Sequence, residues 1–232
     1  QYQIPVSQLL NQYIWNSFLL ASVALVFYWG IGLAVGVVSA LRPGSWFDHL
    51  VSVAVFAAMS FPTFFLCLLL IKWFAVDLHW LPVGGMINTG SDESGWQYVL
   101  QVAAHLALPV LVLAYYSLAS ITRLTRSACL SEMNKEYILL ARAKGAGEMT
   151  ILLRHVLPNI RGTLLTVTAL AWTSMLEGAV LTETVFSWPG IGRYLTTGLF
   201  AGDTTAIMGG TLLIGVSFVL INNLTDLRSE DT

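Results

Sequence analysis

The sequence predicts an all-α, polytopic membrane bundle of helices, and its composition is the first reason. Hydrophobic residues make up 56% of the 232 residues and charged residues only 10%, whereas a soluble domain carries about 25% charged residues. The mean hydropathy is +0.72. Because so few charges cannot cover a globular surface in water, we expect much of the apolar surface to face lipid. Backbone groups in lipid must bond within their own segment, which favours helices.

The second reason is a set of five apolar runs, each about as long as the 20 residues that a bilayer requires. Pro62 and Pro109 lie within two of them, where packing against neighbouring helices tolerates proline. Gly30, Gly32 and Gly36 predict close helix contacts in the first run. The five predicted spans are Ile14–Leu41, Leu50–Ile71, Val99–Thr122, Gly162–Thr182 and Thr204–Thr225.

The third reason is the distribution of charge. The connection from Arg123 to Arg161 carries seven of the eleven Lys and Arg residues, so the positive-inside rule places it in the cytoplasm. The loop from Asp77 to Tyr98 has no Lys or Arg and is therefore predicted to face outside, as is the start of the chain. Because the first residue is Gln1, we interpret the chain as lacking its natural start and one earlier span. We expect a single membrane domain over residues 1–232 and no soluble domain.

Several function classes are disfavoured by the sequence. The net charge of −2 gives no basic field for nucleic acid. The four histidines lie on different loops and spans, without metal-ligand spacing, and the two cysteines are too few for a disulfide framework. No H-E-x-x-H, G-x-S-x-G or G-x4-G-K-[ST] motif occurs. We therefore predict no catalytic residue, no metal site and no ATP hydrolysis by this chain.

The cytoplasmic connection predicts two short helices around a turn. The first runs roughly from Glu132 to Lys144, with Glu132 and Glu136 in its early turns, as the helix dipole favours. Gly145 follows as a C′ residue. The second helix starts near Gly147 or Glu148, and Pro158 stops or bends it.

Two interpretations of this connection stay open from the residues alone. Ala141 and Ala143 lead into Gly145, and such small side chains let another surface approach, so the two helices could dock in a groove of a partner. The alternative is an amphipathic connector that lies on lipid headgroups.

The same stretch resembles the "EAA" loop of ABC importer permeases, whose pattern is Glu-Ala-Ala, three residues, Gly, nine residues, Ile-x-Leu-Pro. Gly145 stands at the Gly position, Leu157 and Pro158 at Leu-Pro, and Ala141 at the second Ala. Leu139 and Leu140 depart from Glu-Ala, and His155 replaces Ile. The resemblance implies these ATPase-coupling residues: Glu136, Tyr137, Ala141, Arg142, Ala143, Lys144, Gly145, His155, Leu157 and Pro158.

Two further blocks are similar to the dipeptide, oligopeptide and nickel branch of that family. They are GSWFDH, Gly44 to His49, and LTETVFSWPGIGRYL, Leu181 to Leu195. With the cytoplasmic block they occur in the family's order and cover nearly the whole chain.

The resemblance implies a type I importer permease with six spans in the bacterial plasma membrane. Such a permease pairs with a second permease and with a cytoplasmic ATPase that binds ATP and Mg, while an extracytoplasmic binding protein delivers the solute. Di- or oligopeptides are the first choice of solute, with nickel or a metal chelate as the alternative. A secondary transporter or channel is the rival class.

Four residues are candidates for the solute pathway. Glu177 is an acid within a span, which faces a pathway, a cavity or a partner; it could equally be a buried acid bonded to hydroxyls or to a neighbouring subunit. Trp188, Pro189 and Gly190 lie in a helix-breaking run that either shapes the outer mouth or forms a plain turn. Trp188 also fits an aromatic belt at the membrane interface.

Overall fold

The structure is a computed structural model that describes residues 6–88, 90 and 94–230, and within that part of the chain it is helical except in turns and in the connection between residues 78 and 95. Ten α-helices are joined by short turns and by three π-helical segments. The α-helices are α1 Val6–Phe27, α2 Ala34–Leu41, α3 Trp46–Ser60, α4 Thr63–Leu70, α5 Trp96–Met133, α6 Glu136–Ala143, α7 Glu148–Ile151, α8 Leu157–Val185, α9 Ile191–Ala201 and α10 Thr204–Glu230; the π-helical segments are Tyr28–Leu33, Ile71–Asp77 and Leu152–Val156.

The described residues fall into two compact units. The first unit takes its residues from 1–26, 61–115 and 172–220, and the second from 27–60, 116–171 and 221–232. Helices α5, α8 and α10 each contribute to both units.

The core of the first unit is apolar. Cys67 on α4, Leu108 and Val112 on α5, and Phe186 after α8 are all buried and pack together. A second cluster joins α1 to α9, where the rings of Tyr13 and Tyr194 stack with centroids 5.3 Å apart. Apolar contacts therefore hold the first unit together.

The second unit contains a close helix contact built on glycine. A Cβ at Gly36 on α2 would lie 2.8 Å from the carbonyl oxygen of Thr122 on α5, and Gly32 likewise faces the side chain of Ile121. The hydroxyl of Thr122 donates to the carbonyl of Gly32 at 3.3 Å. The contact predicted for this glycine run is confirmed at Gly32 and Gly36, whereas Gly30 faces open space.

The all-α prediction is confirmed, and the predicted spans are met in part. Within the described residues, Tyr13–Leu41 and Trp96–Tyr115 are long and apolar enough to cross a membrane. The second predicted span is not one continuous helix, because α3 ends at Ser60 and α4 begins at Thr63; the broken pair is a third candidate span. Pro62, which has extended geometry at the start of α4, causes this break. The count of five spans stays a prediction.

The connection that is predicted to be cytoplasmic differs from its predicted secondary structure in two places. The first helix spans Glu136–Ala143, because the chain turns at Asn134 and Lys135; Glu132 belongs to the end of α5. Pro158 does not stop the second helix, because the chain stays helical through the π-helical segment and into α8. The π-helical segment precedes it, and the Leu157 N–H donates to the Leu152 carbonyl.

Candidate functional site

The segment from Glu136 to Pro158, here called the coupling segment after its predicted role, is organised around Gly145. Gly145 has φ of +85°, a conformation that a side chain disfavours. Its N–H donates to the Arg142 carbonyl at 2.9 Å, and the Ala146 N–H donates to the Ala141 carbonyl at 3.1 Å. These two bonds form a Schellman motif that ends α6. The prediction that Gly145 is a C′ residue is confirmed.

An exposed ion pair crosses the Gly145 turn. The Arg142 guanidinium donates from Nε to Glu148 Oε1 at 2.9 Å and from Nη2 to Oε2 at 3.0 Å. The guanidinium thus donates two hydrogen bonds to the two oxygens of one carboxylate, which fixes the relative orientation of the two groups. The pKa of Arg142 is raised by this pairing with Glu148. The pair links the last turn of α6 to the first turn of α7.

The coupling segment exposes some of its apolar side chains and buries others. Ile138, Ile151, Leu152 and Val156 are buried, and they anchor the segment to the second unit. The exposed apolar residues are Leu139, Leu140, Met149 and Leu153, each more than half exposed. The Gly145 turn itself faces open space. The segment therefore presents an apolar, accessible surface and a small, open turn.

A polar network ties α6 to both neighbouring long helices. The Tyr137 hydroxyl donates to Glu132 Oε1 at the end of α5 and accepts from the Asn159 side-chain amide, in the first turn of α8, at 2.8 Å. Lys135 pairs with the other Glu132 oxygen at 2.7 Å. The ring of His155 meets the Tyr137 ring edge-on, with centroids 6.3 Å apart.

Charge and burial set the proton states of this network. Burial alone would raise the pKa of Glu132, but the bonds from Lys135 and Tyr137 hold that pKa below its usual range. Burial and the neighbouring Glu132 carboxylate raise the pKa of Tyr137. The carboxyl is thus kept ionised and the phenol kept as a donor.

The candidate coupling residues fall at different places along this segment. Tyr137 and His155 come into contact, whereas the exposed residues Glu136, Ala143, Lys144 and Pro158 lie at different points on the surface. Ala141 and Leu157 are half-buried.

The run from Ser187 to Gly192, which is predicted to lie on the outer side, is held by the buried carboxylate of Glu183, a residue that was not among the sequence-based candidates. Glu183, in the last turn of α8, accepts from the Ser17 hydroxyl at 2.5 Å and from the Gly192 N–H at 2.7 Å. Ser17 accepts in turn from the Ile191 N–H at 2.8 Å. The first N–H groups of α9, which lack partners inside the helix, are thus satisfied by α1 and α8. We call this arrangement the outer clamp.

The candidate pathway residues of this run form part of the outer clamp. Trp188 is fully buried, and its indole N–H donates to the Asn16 carbonyl at 3.1 Å. Its assignment to an aromatic belt is therefore wrong, because its N–H is bonded inside the protein. The Pro189 carbonyl accepts from the Asn16 side chain at 2.8 Å, and Gly190 lies against the Glu183 carboxylate. The Glu177 side chain lies outside the described part of the structure.

A sequence signal for the outer clamp exists in retrospect. Gly190 directly follows Pro189, and Gly192 lies in the first turn of α9. A Cβ at Gly190 would collide with Glu183, and a Cβ at Gly192 would collide with Val180 and Glu183. Paired glycines at a helix start, with an acid a few residues earlier, indicate a carboxylate that caps the helix.

Residues 32–228 match the family model described as "Binding-protein-dependent transport system inner membrane component". The chain belongs to this family. It is 38% identical to a di/tripeptide transport system permease of Pseudomonas aeruginosa, over 92% of this chain and 70% of that protein. It is 34% identical to a dipeptide transport system permease of Alkalihalophilus pseudofirmus, over 96% and 71%.

The fold agrees with this membership. The permease superposes on a chain of an inward-facing methionine ABC transporter with a TM-score of 0.76 and 21% identity, over 99% of each chain. The resemblance to ABC importer permeases is therefore confirmed. The permease is a multi-pass, non-catalytic subunit of a bacterial ABC importer in the inner membrane.

Proposed function

We propose that the permease forms a solute pathway for di- and oligopeptides with a second permease, and that the coupling segment docks on a cytoplasmic ATPase. A binding protein outside the membrane delivers the peptide. The choice of peptides as the solute rests on one observation. The chain is 34–38% identical, over about nine-tenths of its length, to proteins named as dipeptide or di/tripeptide permeases. ATP and Mg bind to the ATPase, not to this chain.

The coupling segment supports the docking part of the proposal. A side chain at Gly145 would face open space, and four apolar side chains of the segment are exposed. The Schellman motif and the Arg142–Glu148 pair hold the two short helices in one arrangement. A preformed helix–turn–helix of this kind suits a groove in a partner, since little ordering is left to complete on binding.

Uptake assays test the solute. The permease is expressed with its neighbouring transport genes in a bacterial strain that lacks its own peptide and nickel importers. We expect energy-dependent uptake of a radiolabelled dipeptide, which unlabelled tripeptide reduces, and no uptake of ⁶³Ni²⁺ above that of the empty strain. Nickel uptake without dipeptide uptake would overturn the proposed solute and favour the metal alternative.

A pair of glycine variants tests the docking. Gly145→Trp adds bulk at the turn, and Gly202→Trp serves as its control, because Gly202 also has positive φ, faces open space and ends a helix, α9. Both variants carry a backbone cost of about 1–2 kcal/mol. We expect Gly145→Trp to insert normally but to lose the co-purifying ATPase and uptake, while Gly202→Trp keeps the ATPase. If Gly145→Trp retains both, the turn is not a docking contact.

A further inference from the structure

Besides its buried apolar side chains, the coupling segment has one hydroxyl group that bonds to both neighbouring long helices. The Tyr137 hydroxyl donates to Glu132 on α5 and accepts from Asn159 on α8. These two helices lead away from the segment at its two ends. The Tyr137 hydroxyl therefore links α6 to both helices by hydrogen bonds, in addition to the apolar contacts of the segment.

The network is built so that this hydroxyl is held in place. Glu132 is buried, and its second oxygen is paired with Lys135 at 2.7 Å. The Asn159 amide also donates to the His155 carbonyl at 2.7 Å, which fixes its orientation. The His155 ring lies against the Tyr137 ring. Each partner of the hydroxyl thus has a second contact that orients it, as positioning networks require.

We propose that Tyr137 is a positioning residue for transport, whose hydroxyl makes α5, α6 and α8 move together when a docked ATPase displaces the coupling segment. The inference rests on the proposed docking of this segment. It assigns Tyr137 a role distinct from docking, because its hydroxyl points to the permease's own helices and not to a partner. Without the hydroxyl, the ATPase should still bind, but the displacement that it causes in α6 should no longer move α5 and α8 together.

Tyr137→Phe is the direct test, since it removes the hydroxyl and keeps the ring. Glu132 stays paired with Lys135, so no buried charge loses its last partner and the variant should fold. The assay uses the complete importer in proteoliposomes with its binding protein, and measures ATP hydrolysis and peptide uptake in the same sample. We expect ATPase association as in wild type, ATP hydrolysis within about twofold, and about tenfold less peptide imported per ATP.

Tyr98→Phe is the matched control, because Tyr98 carries an exposed hydroxyl on the same long helix; its uptake per ATP should equal wild type. Asn159→Ala removes the bond to α8 and leaves the bond to Glu132. We expect it to lower uptake per ATP as well, and the double variant to be no worse than Tyr137→Phe, since both changes act through one hydroxyl. Additive losses would overturn the proposal.

Gly145→Trp, run in parallel, separates this proposal from the one on which it rests. If Gly145→Trp loses the ATPase while Tyr137→Phe imports as much per ATP as wild type, docking stands and the role of Tyr137 is refuted. If Gly145→Trp keeps the ATPase and full uptake, docking is refuted and the role of Tyr137 with it. A Tyr137→Phe permease that fails to assemble would show that the hydroxyl serves folding, which also overturns the proposal.

Discussion

Gly190 makes room for the side chain of Glu183. The Glu183 carboxylate occupies the space that a side chain at residue 190 would take, and from there it reaches the N–H groups at the start of α9. A negative charge at this end of a helix is favoured by the helix dipole. The absence of a side chain at residue 190 is therefore as necessary to the outer clamp as the acid itself.

Gly190→Ala should destabilise the permease by about 1–3 kcal/mol, because the new methyl group displaces a carboxylate that is bonded on both oxygens. Gly162→Ala is the control: Gly162 lies on α8 and faces open space, and alanine there should be neutral or slightly stabilising. Thermal unfolding in detergent, followed by tryptophan fluorescence, compares the two. Equal midpoints for both variants would mean that the clamp tolerates the extra methyl group.

The Glu132 carboxyl makes a pH-dependent contribution to stability. Its pKa is lower in the folded protein than in the unfolded chain, so its contribution is present above the unfolded pKa, near 4.3, and is lost as the pH falls through the folded pKa. The unfolding midpoint of wild type should therefore exceed that of Glu132→Gln at about pH 7, and the gap should shrink towards about pH 4. A gap that is constant with pH would show that Glu132 is not stabilised as a carboxylate.

Residue roles were predictable from the sequence only where the partner is close in the chain. Gly145 was found because a helix C′ position depends on its immediate neighbours. Tyr137 was assigned to the coupling segment through the family resemblance, but its bond to Asn159, 22 residues away, was not. Glu183 was missed altogether, because Ser17 lies 166 residues away and no local pattern encodes such a contact.

At the scale of elements, one buried ion pair fixes the connection between α2 and α3. Arg126 on α5 donates to both Asp48 oxygens, at 2.6 and 2.7 Å. The same carboxylate accepts from the Ser39 hydroxyl and from the Gly44 N–H. Asp48 thus joins α2, α3 and α5 within the second unit, which gives a structural reason for an acid in the GSWFDH block.

Asp48→Asn should cost about 2 kcal/mol, less than the roughly 3–5 kcal/mol of a fully buried pair because Arg126 remains partly exposed. Glu148→Gln breaks the other two-bond pair, with Arg142, whose side chains are both exposed, and should cost about 0–1 kcal/mol. Urea unfolding of the two variants in detergent measures the difference. A cost for Glu148→Gln equal to that of Asp48→Asn would show that burial does not distinguish the pairs.

Helix existence was easier to predict than helix continuity. Three prolines lie in apolar or amphipathic stretches, and they behave differently: α5 continues through Pro109, the chain breaks at Pro62, and Pro158 begins α8 after a π-helical segment. Hydrophobic periodicity is the same on both sides of each proline, so it does not separate these outcomes. Packing by helices that are distant in the sequence decides them.

At the scale of the whole molecule, the charge distribution predicts which end of each span faces the cytoplasm. Ser131, near the end of α5, and Ser94, just before its start, are both exposed, and we expect them on opposite sides of the membrane. Both native cysteines are free and buried, so a variant with Cys67 and Cys129 replaced by alanine offers a clean background for labelling.

In that background, a membrane-impermeant maleimide added to intact cells should label Ser94→Cys and not Ser131→Cys. After the cells are opened, both should be labelled. The reverse pattern in intact cells would invert the orientation and move the coupling segment away from any cytoplasmic ATPase.

The residues of the outer clamp are synthesised at widely separated times. Ser17 emerges from the ribosome well before its partner Glu183, which follows 166 residues later, and the Ile191 N–H that Ser17 accepts comes later still. At about 5–20 residues per second, this delay is on the order of 10–30 s. Through that interval α1 is without its native partners on α8 and α9, so lipid and the insertion machinery must hold it. Formation of the outer clamp is thus a late step in the folding of the permease.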